Sequence, residues 1–207
     1  MDVLDMLKKD HQTVTKLFQR FKDEENARAR SDLAQKICEE LDVHARLEEE
    51  LFYPVVEEVG DAELAGMVGE ARREHEQVKE QCRTITAAVT GGQDDGLEAQ
   101  VAALERDVEQ HVTEEEGEMF PQVEEVIDAA KRSAIAQRAQ ARKRQLTSET
   151  TGARATGATA TRSGTTKRRQ SAKRKRTKST KTAKRAKTTK AGGRATTAKK
   201  RARGGRR

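Results

Sequence analysis

The chain has 207 residues, 33% of them apolar and only 2% aromatic, with a net charge of +7. That mild figure hides a division: residues 1–130 hold 14 Lys and Arg against 34 Asp and Glu, whereas residues 131–207 hold 28 Lys and Arg against the single acid Glu149. Domain and appendage are therefore expected. No apolar run approaches the roughly 20 residues that span a bilayer. Cys38 and Cys82 cannot make a disulfide framework, and the start Met-Asp-Val-Leu-Asp does not resemble a secretion signal, so a cytoplasmic protein is expected.

Four segments carry apolar residues at alternating spacings of three and four, the signature of helix and not strand. The first reads Leu4, Leu7, His11, Val14, Phe18, Phe21, and the second Leu33, Ile37, Leu41, His44, Glu48, Leu51, Val55. The third reads Leu64, Val68, Ala71, His75, Val78, Cys82, Ile85, Val89, and the fourth Leu97, Val101, Leu104, Val108, His111, Glu115, Met119. Breaks are expected at the polar run Asn26–Ser31, at Gly60-Asp61 and at Gly91-Gly92. Short connections between long helices predict an all-α, up-down-up-down four-helix bundle over residues 1–130.

The chain repeats itself. Asp10-His11 with Val14 matches Glu74-His75 with Val78, and His44-x3-Glu48-Glu49-x3-Tyr53-Pro54 matches His111-x3-Glu115-Glu116-x3-Phe120-Pro121. Pro54 and Pro121 would each free the carbonyl four residues earlier, at Glu50 and Gly117, and kink the helix.

All four histidines of the chain fall on these stripes. His44 and His111 each carry a glutamate four residues on, which places imidazole and carboxylate on one helix face. The expected metal ligands are His11, His44, Glu48, His75, His111 and Glu115. A lone helical histidine usually belongs to the core; four of them, with two repeat-related glutamates, point to metal. Zinc prefers a closed tetrahedron, whereas two metals bridged by Glu48 and Glu115 use all six ligands. Imidazole plus carboxylate with open positions suits iron. His11 and His44 would hold one metal, His75 and His111 the other. Glu49, Glu50, Glu116 and Glu118 are expected on the solvated face, Tyr53 as packing near the kink, and Cys38 and Cys82 as small buried hydrophobes.

These motifs resemble the hemerythrin-like HHE cation-binding domain: Asp10-His11, His44-Ala-Arg-Leu-Glu-Glu-Glu-Leu-Phe-Tyr-Pro54, Glu74-His75 and His111-Val-Thr-Glu-Glu-Glu-Gly-Glu-Met-Phe-Pro121. The resemblance covers roughly residues 1–130 and implies a non-haem di-iron centre (two iron ions) in a four-helix bundle. Oxygen-carrying members have a fifth histidine four residues after the third; here that position is Lys79. A protonated lysine cannot ligate, so the site lacks a ligand or recruits Glu49, Glu74 or Glu116. That shifts the expectation from dioxygen storage toward sensing or handling iron, oxygen, nitric oxide or peroxide. Ferritin-like bundles use Glu-x2-His, but Lys8, Leu41, Arg72 and Val108 occupy the positions three before the histidines.

Residues 131–146 are expected to extend the fourth helix. Residues 147–207, built from Lys, Arg, Thr, Ala, Ser and Gly, cannot bury enough surface to offset the entropy of ordering and are expected to be disordered. The densest cluster, Lys167, Arg168, Arg169, Lys173, Arg174, Lys175 and Arg176, suits phosphate neutralisation, and the tail is similar in composition to linker-histone and bacterial nucleoid-protein tails. Without aromatics it would bind nucleic acid through phosphates, without sequence preference. With no apolar anchor, membrane attachment is not expected. The resulting expectation is a di-iron sensing protein tethered to DNA and nucleoid-associated. The alternatives are a di-iron peroxidase or catalase-like enzyme and a structural nucleoid protein; oligomeric state stays open.

Overall fold

A computed structural model describes residues 1–92 and 95–149; the basic residues 167–176 lie outside the described residues. The described chain is helical, with no strand. Helix α1 spans Val3–Asp23 and α2 spans Ala27–Leu47; a π turn (Glu48–Phe52) then leads into α3 (Tyr53–Glu57). Helices α4 (Ala62–Gly91) and α5 (Leu97–Glu114) follow, and a second π turn (Glu115–Met119) leads into α6 (Phe120–Val126). A last helix, α7, covers 129–149. Helix α1 packs on α2, α2 on α4, α4 on α5, and α5 returns to α1, closing a helical bundle.

The helix ends follow from capping chemistry. Asp2, Asn26 and Asp61 each accept a hydrogen bond from backbone N–H groups of the first turn they precede, satisfying donors that have no partner within the helix. Gly92, at φ 67°, ends α4 in the left-handed conformation that L side chains resist. With Asn26 as cap, Ala27–Ser31 is already helical, so the first break is narrower than the polar run suggests.

The proline irregularity takes a specific form. The Tyr53 N–H reaches back five residues to the Glu48 carbonyl, and the Phe120 N–H does the same to Glu115. Each proline thus follows a turn carrying one extra residue, which reaims the side chains around it. Both π turns begin at the glutamates of the repeated motif.

The interior is layered. One apolar cluster gathers Leu4, Leu7, Phe52, Val68, Phe120 and Val123; a second gathers Val14, Phe18, Ile37, Leu41, Ile85 and Leu104. Between Leu7 and Val14 on α1 sits buried His11, and the other histidines interrupt their stripes in the same way.

The segment expected to prolong the fourth helix is helical but starts afresh. The chain breaks at Ile127-Asp128, where Asp128 accepts a 2.8 Å hydrogen bond from the Lys131 N–H. Helix α7 then packs on the bundle: Ile135 and Ala136 join the first cluster, while Ala139 and Leu146 pack with Met6, Val43 and Leu47. Arg132 binds Asp2 (2.7 Å), Arg142 binds Glu50 (2.7 Å) and Lys143 binds Asp10 (2.5 Å). No helix among the described residues is long and apolar enough to cross a membrane.

Candidate metal centre

The structure brings the six expected ligand residues into one buried layer. His11, His44, His75 and His111 are 3–5% exposed, Glu48 is 0% and Glu115 is 1%. One ligand atom from each of His11, His44, Glu48, His111 and Glu115 lies within 4.8 Å of all the others. The His11 and His44 Nε2 atoms are 3.0 Å apart, and those of His75 and His111 are 3.3 Å apart. Glu48 Oε2 lies 3.1 Å from His44 Nε2 and 3.3 Å from His75 Nε2. Glu115 Oε2 lies 3.5 Å from both His11 Nε2 and His111 Nε2. Helical spacing aims His44 with Glu48, and His111 with Glu115, from one face each.

A ring of carboxylates surrounds the imidazoles. Glu116 meets His11 Nδ1 at 2.7 Å, Glu49 meets His75 Nδ1 at 2.9 Å and Glu74 meets His111 Nδ1 at 2.9 Å. Asp10 stands 4.0 Å from His44 Nδ1, outside hydrogen-bond distance. The ring follows the repeat: the acid preceding each lone histidine faces the other histidine of its own half, whereas Glu49 and Glu116 cross to the opposite half. A carboxylate on Nδ1–H fixes the tautomer and turns the Nε2 lone pair inward. Glu49 and Glu116, half-buried, thus turn a carboxylate oxygen onto an imidazole instead of standing wholly in solvent.

Lys79 does not reach the centre. Its ammonium donates to both oxygens of Glu49, at 2.8 and 2.9 Å, and to Glu76 at 2.9 Å. Partial burial disfavours the charge, but Glu49 and Glu76 more than restore it and raise the lysine above its ordinary value. Glu49, hydrogen-bonded by His75 and Lys79, falls to about 2.

Tyr53 packs beside the kink in the first apolar cluster, as expected, but its hydroxyl also enters the centre. It is fully buried, its hydroxyl donates to Glu115 Oε1 at 2.8 Å, and that hydroxyl lies 3.5 Å from His75 Nε2. Burial and the nearby Glu48 and Glu115 carboxylates push the phenol well above its usual range, so it holds its proton. At the repeat-related position, Phe120 stacks on His11 with centroids 6.1 Å apart.

The donor set calls for a cation. Both Glu48 oxygens and Glu115 Oε2 are buried without a hydrogen-bond partner, a costly state for a carboxylate unless it coordinates a metal or takes up a proton. Without metal the two carboxyls diverge. Burial and the adjacent Glu115 raise Glu48 well above the ordinary carboxyl range. Burial would raise Glu115 too, but His111 and His11 hold it below that range. Burial also pushes the His44 imidazole down to about 4, a neutral, ligating form, with Asp10 opposing only in part.

On the second cluster's side, the four imidazoles, with Leu41, Val78 and Val108 among the other walls, enclose a cavity of about 20 Å3. A larger groove of about 800 Å3 opens between α2 and α4, and Leu41 and Val78 line it as well.

A buried cluster of imidazoles and carboxylates inside a helical bundle defines a metal-binding protein. The chain belongs to the hemerythrin family: the hemerythrin HHE cation binding domain matches residues 2–123. Neither a curated protein nor a solved structure matches the chain.

Proposed function

We propose that the centre binds two iron ions and serves to sense or handle a small ligand, namely oxygen, nitric oxide or peroxide. In this reading His11 and His44 hold one iron, His75 and His111 the other, and Glu48 and Glu115 join them. One observation carries it: each glutamate lies between one imidazole of each pair, at 3.1 and 3.3 Å for Glu48 and 3.5 Å twice for Glu115. Imidazole plus carboxylate, without thiolate, favours iron over structural zinc. When bound, the iron pair supplies redox chemistry and an open coordination position. The chain's own residues orient the imidazoles, exclude bulk water and keep a proton on Tyr53 beside Glu115. A cavity of about 20 Å3 admits one molecule of water size, which fits a diatomic gas or peroxide.

The second half of the proposal concerns residues 150–207. Their polycationic composition supports non-specific DNA binding through phosphates, placing the iron centre beside the chromosome. The Tyr53 proton favours one rival, peroxide turnover at the same centre.

Anaerobic ferrous loading followed by brief air exposure tests the first half. Two irons per chain, with new near-ultraviolet and visible absorption, is the expected result; one zinc, or no metal in a folded chain, overturns it. Peroxide consumption lost in His44→Ala and Glu115→Ala would select the enzyme. Ligand-dependent DNA affinity without turnover selects the sensor. DNA binding indifferent to metal would leave a structural nucleoid protein.

A further inference from the structure

The chain has only two cysteines, and the fold brings them together. Cys38 on α2 and Cys82 on α4 line the same groove of about 800 Å3 and pack in the same apolar cluster. Cys38 is buried and Cys82 partly buried, and both are free thiols. The Cys82 thiol hydrogen-bonds the Cys38 sulfur, and this contact, with burial, raises the Cys82 thiol far above its ordinary value. Two small hydrophobes meeting by packing would need neither an open groove nor a thiol–thiol contact.

We propose that Cys38 and Cys82 form a peroxide-oxidisable dithiol that closes to a disulfide tying α2 to α4. Hydrogen peroxide suits the site: it is small and neutral, and as a two-electron oxidant it matches a dithiol. In this proposal Cys38 is the attacking sulfur and Cys82 the resolving one. As its thiolate, having released its proton to solvent, Cys38 attacks one peroxide oxygen. An S–O bond forms, the O–O bond breaks, and the departing hydroxide takes up a proton to leave as water. Cys82 then loses its proton and attacks the Cys38 sulfur. The S–S bond forms, the S–O bond breaks, and hydroxide leaves with that proton as a second water. Two thiols are oxidised to one disulfide and one peroxide is reduced to two waters.

The location gives the tie a consequence. Leu41 lies one turn from Cys38 and Val78 one turn from Cys82, and these two side chains line both the groove and the cavity over the imidazoles. A disulfide here fastens the wall between them.

The test uses the full chain, reduced and desalted, then treated with hydrogen peroxide, unfolded and alkylated. Both thiols should disappear together, with intact mass lower by two hydrogens, no covalent dimer, and full recovery with a dithiol reductant. Cys82→Ser should instead stop at Cys38 carrying one added oxygen, trapped by a sulfenic-acid reagent, and Cys38→Ser should leave one alkylatable thiol. Oxygen added to wild-type sulfur without the disulfide, a cross-link between chains, or intact thiols under peroxide that oxidises the unfolded chain would each overturn the proposal. The readout is sulfur alone, so a failed iron assignment leaves this result standing, and the reverse.

Discussion

The Tyr53 hydroxyl, from the first half of the repeat, donates a 2.8 Å hydrogen bond to Glu115 Oε1 in the second. Phe120 replaces it at the related position, so the two faces of the centre differ by one phenolic proton. Tyr53→Phe leaves Glu115 Oε1 buried without that donor. Expected are an unchanged metal content and a metal-free chain less stable by about 1–3 kcal/mol, read by denaturant unfolding. A variant as stable as wild type would show the hydrogen bond to be dispensable.

Removing a glutamate that lies between the two histidine pairs should cost more. Glu48→Ala is expected to abolish binding of a metal pair, with iron per chain dropping from two toward one or none in elemental analysis. Undiminished stoichiometry would disprove the joining role. Since metal binding is coupled to folding, the loaded variant should also melt below the loaded wild type.

The crossing carboxylates offer a matched pair of tests. Glu49→Ala and Glu116→Ala each release a histidine Nδ1, on His75 and His11 respectively. Each should weaken metal binding by about 10–100-fold, measured by competition with a chelator. Glu50→Ala, whose carboxylate binds Arg142 instead of an imidazole, should leave affinity unchanged.

Helix α7 should behave as part of the bundle. Leu146 is 1% exposed, and Leu146→Ala should destabilise the chain by about 2–5 kcal/mol if the site cannot collapse. Hydrogen exchange should accelerate first in residues 129–149. Protection equal to wild type there would mean that the helix holds without this contact.

Removal of residues 150–207, beyond α7, is expected to abolish DNA binding at physiological salt while metal content stays intact. In the full chain, engagement of about 8 phosphates would give a slope of log K against log salt near −7. Retained DNA affinity in the truncated chain would end the tether reading.

The layer of expected ligands is legible in the sequence because a histidine or glutamate on an apolar stripe declares both its face and its level along the helix. Paired prolines at matching places marked both irregular turns, but not their form; a π turn depends on backbone register, which composition does not carry. Glu49 and Glu116 stand next to expected ligands, and nothing along their own helices marks them as anything but solvated face. Their roles come from helices of the opposite half, and no spacing along one helix encodes that neighbour. The docking of α7 is hidden for another reason: its buried face is only Ile135, Ala136, Ala139 and Leu146, two of them large, too faint a stripe to separate from the basic segment that follows.

The crossed carboxylates make the two halves interdependent. His11 is steadied by Glu116 and His75 by Glu49, so each half carries the clasp for the other's histidine. The link between them, Gly60-Asp61, joins α3 to α4 and holds none of the expected ligands. A chain cut in that link should yield two fragments, each with two histidines and one glutamate yet unable to organise them alone. Mixed together, they should recover metal binding through complementation, because what unites the centre is reciprocity across the interface and not continuity of the backbone.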